Sequence, residues 1–211
     1  SNIYVADNIG FVYSINLNEG KLLWIRNYEI PIKSNIKVFD NKIFLTNQDN
    51  KILCLNTEDG SLIWNILSMS SFIKSQNLLS LAITREGDLI AITSSADIYK
   101  IKVQTGSVLW SRNTADSLYA NATDFFVSSE IVIDEDSVIF SSGSNTFSLD
   151  LNNGNTNWKQ QISSISAPII SGENIFVVTN NGYFAILDKN SGRIISSSNI
   201  LKILKSKKQK T

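Results

Sequence analysis

The sequence predicts an all-β chain built from repeated four-stranded antiparallel units, and three observations support this prediction. A phrase containing one glycine recurs five times, and successive glycines are 40, 46, 48 and 38 residues apart. Two runs of alternating or continuous apolar residues, separated by a polar turn, precede each glycine, which is the pattern of a β-hairpin. No window shows a sustained helical period. A period in the forties with this pattern is typical of a β-propeller blade.

Four copies of the phrase place a tryptophan four residues after the glycine. The copies are EGKLLW (19–24), DGSLIW (59–64), TGSVLW (105–110), NGNTNW (153–158) and SGRIIS (191–196), the last with serine instead of tryptophan. Each glycine predicts a tight turn with positive φ into an outer strand. Each tryptophan is predicted to fill the wedge between adjacent blades, where burial removes about 150–250 Å² from water. The predicted docking residues are Gly20, Trp24, Gly60, Trp64, Gly106, Trp110, Gly154, Trp158 and Gly192. An aromatic ligand-binding box is the alternative, and regular packing explains the spacing better.

The residues between the phrases lay out the other strands of each unit. In the last unit, an inner strand in SAPII (166–170) is followed by a turn, the strand IFVVT, a second turn and the strand YFAILD. The tryptophan-bearing strand then closes the unit, giving four antiparallel strands. Because the chain opens on NIYVA, the first unit is predicted to lack its inner strand. A lone blade cannot bury both of its faces, so neighbouring blades must stack.

The connections between units differ in length and carry apolar residues that the repeat does not require. The longer connections follow Trp64 and Trp110. Their apolar residues are Phe72, Ile73, Leu118, Tyr119, Phe125 and Phe126. Loops on a rigid scaffold commonly carry recognition, so these residues are candidates for a binding rim. The alternative is that they pack onto the blade edges as satellite clusters.

Composition argues against several kinds of function. Nineteen basic and nineteen acidic residues give a net charge of zero, which disfavours nucleic acid as a partner. The chain has no histidine, so His-based catalytic pairs cannot form, and its single cysteine, Cys54, cannot form an intrachain disulfide. Cys54 lies in the apolar alternation KILCLN, which predicts a small core residue. Carboxylates lie mainly in turns. We therefore predict a non-enzyme with no catalytic residue, cofactor or metal site.

The consensus x-L-D-x-x-x-G-x-x-x-W is followed closely by SLDLNNGNTNW (148–158) and SINLNEGKLLW (14–24), and it resembles the PQQ-type propeller repeat. Within that superfamily the chain looks like the BamB family of the outer-membrane β-barrel assembly machinery. The departures are Lys102, where Asp or Asn is usual, and Ser196 in place of the last tryptophan. They predict locally weaker docking.

The resemblance implies that the chain is the middle of a larger, eight-bladed ring, forming an open arc of about five blades. The blades are predicted at 2–27 (partial), 35–67, 77–113, 128–161 and 166–199, with 200–211 as a basic tail or the start of another blade. The resemblance also implies a periplasmic, outer-membrane-associated lipoprotein of a Gram-negative bacterium. Its signal peptide and lipid anchor would lie outside this segment.

In the BamB family, contact with the POTRA region of BamA falls on neighbouring inter-blade loops, one apolar and basic, the next acidic. The resemblance therefore implies a protein partner of this kind and other subunits of the machinery. The residues of matching type are Phe72, Ile73, Lys74, Asp116, Tyr119 and Asp124. The alternative is that the charged ones are simply solvated.

Two rival functions share the repeat. A PQQ-dependent quinoprotein dehydrogenase would cradle its quinone on Ca²⁺, and the alcohol dehydrogenases of this kind carry a vicinal disulfide that a single cysteine cannot form. A sensor propeller of a signalling protein is the other, and it would show a transmembrane or catalytic segment outside the present boundaries. The flanking sequence would distinguish them.

Overall fold

The computed structural model describes residues 1–68, 75, 77–115 and 126–202. The chain forms two compact units, Ser1–Phe126 and Val127–Thr211. The described parts of both units consist of antiparallel sheets, and only residues 200–202 form a helical turn. Among these residues, no helix has the length and apolar character needed to cross a membrane. The all-β prediction is confirmed.

The first unit contains three sheets, each with its strands in chain order. The first sheet has the three strands β1 (Asn2–Ala6), β2 (Phe11–Asn16) and β3 (Leu22–Asn27). The second has β4 (Lys37–Phe39), β5 (Lys42–Thr46), β6 (Lys51–Asn56) and β7 (Leu62–Leu67). The third has β8 (Leu81–Ile83), β9 (Asp88–Ile92), β10 (Asp97–Lys102) and β11 (Val108–Asn113). The first sheet thus lacks the short inner strand that its two neighbours possess.

The second unit contains two sheets of the same four-stranded design. The fourth sheet has β12 (Val132–Asp134), β13 (Ser137–Ser142), β14 (Asn145–Asp150) and β15 (Thr156–Gln160). The fifth has β16 (Ile169–Ser171), β17 (Asn174–Val178), β18 (Tyr183–Asp188) and β19 (Ile194–Asn199). The inner strand β16 begins near the end of the predicted SAPII run, because only its last residues pair with β17.

A bulge interrupts every outer strand at the residue before the tryptophan position. In the first sheet Leu22 pairs with Ile15 and Trp24 pairs with Ser14, so Leu23 has no opposite residue. The same register shift leaves Ile63, Leu109, Asn157 and Ile195 unpaired in the other sheets. The repeat phrase gave no sign of this bulge. A bulge increases local twist and makes an outer edge a poorer template for pairing with other chains.

Within each unit, a tryptophan indole on one sheet packs against the glycine turn of the next sheet. We call this contact a tryptophan seat. Trp64 Nε1 donates a hydrogen bond to Val103 O at 2.9 Å. A Cβ on Gly106, whose φ is +72°, would lie 2.9 Å from Cδ2 of the Trp64 ring. The glycine therefore has two functions, since it adopts the left-handed turn and leaves the space into which the indole packs.

The same seat recurs within both units. Trp24 Nε1 donates to Thr57 O at 2.9 Å, and Trp158 Nε1 donates to Lys189 O at 2.8 Å. In each case the accepting carbonyl lies three residues before the glycine of the neighbouring sheet. Those glycines, Gly60 and Gly192, abut the indoles as Gly106 abuts Trp64. An indole N–H that enters a sheet interface thus finds a fixed acceptor, which avoids the cost of an unpaired buried donor.

The turn that accepts the Trp24 hydrogen bond also accepts hydrogen bonds from three other side chains in or next to the first sheet. Tyr4 Oη donates to Thr57 O at 3.4 Å, and Arg26 Nε donates to Asp59 O at 2.9 Å. Tyr28 Oη donates to Gly60 O, and burial raises the pKa of this phenol to about 12. The protonated phenol therefore persists at physiological pH, and the first and second sheets are joined by more side-chain hydrogen bonds than the tryptophan alone supplies.

In three of the four sheets that carry a tryptophan, the residue opposite it is small. Trp24, Trp64 and Trp158 pair with Ser14, Cys54 and Ser148, which are small and fully buried. In the last sheet, where Ser196 replaces the tryptophan, the opposite residue is the larger Ile186. Since residues directly opposite each other lie on one face about 4.5–5.5 Å apart, a small partner leaves room for an indole.

The third sheet departs from this rule because Lys100 lies opposite Trp110. Lys100 is only 7% exposed, and its Nζ lies 3.4 Å from Asp88 Oδ2. A buried ammonium requires such a partner, because an unpaired charge in this environment would be costly. Trp110 is itself buried.

The glycine seats can be tested by replacing Gly106 and Gly20 with alanine. Both have positive φ, but no atom lies within 4 Å of a Cβ on Gly20. Gly20→Ala should therefore cost about 1 kcal/mol from backbone strain alone. Gly106→Ala should cost about 2–4 kcal/mol, because overpacking against Trp64 is added. Urea unfolding followed by circular dichroism would measure both.

A double-mutant cycle provides the control for this test. In a Trp64→Ala background, Gly106→Ala should cost no more than Gly20→Ala does in the wild type. Equal costs for the two glycines in the wild type would show that the indole contact contributes nothing.

The thiol of Cys54 should be unreactive in the native protein. Cys54 is fully buried, and burial raises the pKa of its thiol to about 12, against the opposing effect of Lys42. We expect labelling by a disulfide reagent at pH 8 to proceed at the rate of unfolding. Fast labelling without denaturant, at the rate seen in urea, would contradict the packing around Trp64.

Candidate partner-binding rim

The connections between sheets leave from the same edge as the turn that joins the second and third strands of a four-stranded sheet. In the first unit we define the rim as residues 28–36, 47–50, 68, 75, 77–80, 93–96, 113–115 and 126, which lie at this edge. It includes the described ends of both longer connections. In the sequence, most of the candidate recognition residues lie between described residues of the rim.

The six predicted partner-binding residues, Phe72, Ile73, Lys74, Asp116, Tyr119 and Asp124, lie outside the described residues. Leu118 and Phe125 do as well. Phe126 is described, and it is 8% exposed, so it packs instead of presenting its ring to solvent. The structure consequently describes the rim residues on either side of the candidates in the sequence, and we call these rim residues the frame.

One described residue of each longer connection meets the other. Ser75 and Phe126 form an isolated parallel bridge. Ser75 Oγ donates to Phe126 O at 3.3 Å and to Asn77 O at 2.9 Å, and both Ser75 and Phe126 are buried. Ser75 and Phe126, the first described residues after 69–74 and 116–125, therefore lie side by side, although 51 positions separate them in the sequence.

Backbone hydrogen bonds also join the connections that lead into β4 and β8. The backbone N–H of Leu79 donates to Lys33 O at 2.6 Å, and that of Asn35 donates to Leu79 O at 3.1 Å. The Asn35 side chain then continues the pairing as a peptide would. Its Oδ1 accepts from Leu81 N at 2.8 Å, and its Nδ2 donates to Leu81 O at 3.4 Å. This pairing fixes the two connections relative to each other.

Neighbouring turns of the second and third sheets are joined through Asn50. This residue adopts φ +62° and is 1% exposed. Its Oδ1 accepts from both the backbone N and the Oγ of Ser94, at 2.9 and 2.8 Å. At the same turn, Ser68 N donates to Asn50 O at 3.4 Å. Asn tolerates the left-handed region, and here its amide also satisfies donors on the next sheet.

The chemistry of the rim is that of a hydrogen-bonded frame. Its polar groups are mainly hydroxyls, amides and backbone carbonyls. The phenol of Tyr99 donates to Ser68 Oγ at 3.0 Å, and burial raises the pKa of Tyr99. Across the described ranges, no group of three or more His, Cys, Asp or Glu residues could hold a metal ion. Such a frame can position loops, and it offers no histidine to act as a general base.

Two grooves lie at the opposite sheet edge, and each contains a polar contact between neighbouring sheets. In the first unit Gln104 Nε2 donates to Asp40 Oδ2 at 3.0 Å beside Phe39. In the second unit Lys189 Nζ lies 3.0 Å from Asp134 Oδ2, and this hydrogen bond raises the pKa of the lysine. These groups already satisfy each other, so the grooves serve sheet-to-sheet contact.

Sequence reasoning missed several residues that build the frame, among them Asn35, Asn50 and Ser75. One signal was present for Asn50. Aligned on the phrase glycines, it occupies the position of Gly10 and Ala96, and all three have positive φ. An asparagine aligned with a glycine in a turn indicates a left-handed residue. Nothing in the repeat marks Asn35 or Ser75, because they lie in connections that the repeat does not constrain.

The family model and three curated relatives that cover most of this chain indicate one family. A family model described as outer membrane protein assembly factor BamB matches residues 1–198. The curated outer membrane protein assembly factor BamB of Shewanella oneidensis is 23% identical, over 92% of this chain and 53% of its own length. The chain thus spans about half the length of the curated relatives it matches.

Solved structures confirm the fold. The crystal structure of BamB from Moraxella catarrhalis superposes with a TM-score of 0.81 at 12% identity, covering 94% of this chain and 61% of that one. The quinohemoprotein alcohol dehydrogenase of Comamonas testosteroni gives 0.70 at 15% identity, covering 94% and 41%. Likenesses at these identities show the shared β-propeller fold alone. The family model, which covers nearly the whole sequence, decides between them, and the chain belongs to the outer membrane protein assembly factor BamB family.

Proposed function

We propose that this chain is a non-catalytic scaffold of the outer-membrane β-barrel assembly machinery, which binds a BamA-like POTRA region through its two longer connections. The match of the BamB family model to residues 1–198 carries this proposal. The proposed location is the periplasmic side of a Gram-negative outer membrane, reached through a lipid anchor. The proposed contacts come from Phe72, Ile73, Lys74, Asp116, Tyr119 and Asp124.

The geometry of the frame supports a contact made by both longer connections together. Because Ser75 and Phe126 pair, residues on the two connections end at one place on the rim. One connection brings Phe72 and Ile73 next to Lys74 in the sequence, and the other brings Asp116 and Asp124. An apolar centre flanked by charges of both signs is the usual anatomy of a transient protein interface.

The chain's own residues favour a scaffold over an enzyme. It contains no histidine and one cysteine, and that cysteine is buried. A quinoprotein dehydrogenase remains the second candidate because the quinohemoprotein structure shares the fold. Titration calorimetry with PQQ and Ca²⁺ separates the two proposals. We expect no binding heat and no dye-linked alcohol oxidation, and saturable quinone binding would favour the enzyme.

Charge reversal and apolar loss on the connection after Trp64 should weaken partner binding. Phe72→Glu and Lys74→Glu should each lower the affinity of the full-length protein for the BamA periplasmic region by about tenfold or more, as expected for residues central to an interface. Calorimetry or biolayer interferometry would measure this. The loss for Lys74→Glu should shrink at high salt, because screening weakens the electrostatic part.

Lys21→Glu is a matched control for the charge change. Lys21 is exposed and lies at the opposite sheet edge, next to Gly20. The affinity of the Lys21→Glu variant for the BamA periplasmic region should stay within about twofold of the wild-type value. If Phe72→Glu and Lys74→Glu also bind like the wild type, the proposed contact is wrong.

A further inference from the structure

We propose that Asp97 is a positioning residue that ties together the points from which both longer connections leave the sheets, so that they bind a partner as one surface. This inference deepens the proposed function and rests on it. It is carried by hydrogen bonds among described residues of the first unit.

The carboxylate of Asp97 accepts hydrogen bonds from two residues that lie where the longer connections begin. Asp97 is the first residue of β10. Its Oδ2 accepts from Ser68 Oγ at 3.3 Å, and Ser68 is the last described residue before 69–74. Its Oδ1 accepts from Asn113 Nδ2 at 2.7 Å, and Asn113 ends β11, just before the second connection. One ionised side chain thus holds two segments that are 45 residues apart in the sequence.

Neighbouring groups strengthen this junction. Ser95 Oγ donates to Asp97 Oδ2 at 2.8 Å, and Asn113 Nδ2 also contacts Ser95 O at 3.1 Å. Thr114 donates to Ala96 O through both its backbone N and its Oγ1, each at 2.8 Å. Hydrogen bonds to a charged acceptor are about twice as strong as neutral ones. The junction therefore fixes Ser68 and Thr114 to one turn of the third sheet.

Described residues on both sides of 69–74 and of 116–125 are consequently held by hydrogen bonds. Ser68 and Asn113 bind at the Asp97 junction, and Ser75 and Phe126 pair with each other. Fixing the ends of two loops lowers the conformational entropy that binding must remove, which raises affinity without adding any contact to the partner. Removal of Asp97 should therefore weaken binding although Asp97 itself is not proposed to touch the partner.

Asp97 is specific to the third sheet. Aligned on the phrase glycines, its position is occupied by Phe11, Lys51, Asn145 and Tyr183 in the other sheets. The structural repeat therefore does not require an acid there. The two longest connections flank this same sheet, one entering it and one leaving it. The acid thus coincides with the place where two long segments must be held.

Asp7 offers a matched control, because its carboxylate serves only its own hairpin. Its Oδ1 accepts from Phe11 N at 2.8 Å and Ile9 N at 3.0 Å, and its Oδ2 accepts from Tyr13 Oη at 3.0 Å. Asp7 and Asp97 thus both accept three or more hydrogen bonds at a turn of the same kind. Asp7→Ala removes turn bonds without touching either longer connection.

The experiment compares Asp97→Ala, Asp7→Ala and the wild type as full-length proteins. Affinity for the BamA periplasmic region is measured together with hydrogen exchange of peptides covering residues 66–78 and 111–128. We expect Asp97→Ala to lower affinity about tenfold and to speed exchange in both peptides, and Asp7→Ala to change neither. A general loss of stability would instead speed exchange in the first sheet as well, and that result would overturn the proposal.

The remaining outcomes separate this inference from the proposed function. Wild-type protein that does not bind BamA overturns the proposed function, and the exchange data then judge the junction alone. Wild-type binding that Asp97→Ala leaves unchanged overturns the inference and spares the proposed function. If Asp97→Ala does not fold, Ser68→Ala and Asn113→Ala replace it. Each should weaken binding several-fold and speed exchange in its own peptide only, and wild-type behaviour of both overturns the inference.

Discussion

The contact between an indole and a glycine turn on the next sheet sets the spacing of sheets within each unit. A glycine near φ +70° has no Cβ to exclude the ring, and the carbonyl three residues earlier accepts the indole N–H. The glycine and the tryptophan come from two copies of the same six-residue phrase, and the accepting carbonyl lies two residues before the phrase that supplies the glycine. The phrase at 59–64 shows both roles, since Gly60 receives Trp24 and Trp64 packs on Gly106. The geometry is independent of the connection that joins the two sheets.

That independence explains why connections can lengthen without disturbing the packing. Trp24 and Trp64 occupy equivalent seats, although the connection after Trp64, residues 68–80, is longer than residues 28–36 after Trp24. Lengthening a loop whose ends are already held adds little free-energy cost, because closure entropy rises only slowly with length. The phrase thus preserves the packing, while the connections are free to differ in length.

The sequence predicted the sheets well because they are specified by local, repeated signals. Turn glycines, alternation and the recurring tryptophan gave the strand order, and the opening NIYVA gave the three-stranded first sheet. The bulge before each tryptophan was missed, because it is a register shift between strands and leaves no mark in one strand's pattern. The exchange of a small residue opposite tryptophan for Ile186 opposite Ser196 was visible only after pairing was known.

The rim was harder to predict, since its residues follow from contacts between distant segments. Ser75 and Phe126 lie outside the repeat, and no periodic pattern pairs them. Asp97 was detectable in principle, as the one acid among five aligned positions, but its meaning depends on Ser68 and Asn113 converging on it. A repeat protein thus separates two kinds of information. Positions that every repeat shares determine packing, and a position that departs from its equivalents, close to a longer connection, is where a functional constraint should first be sought.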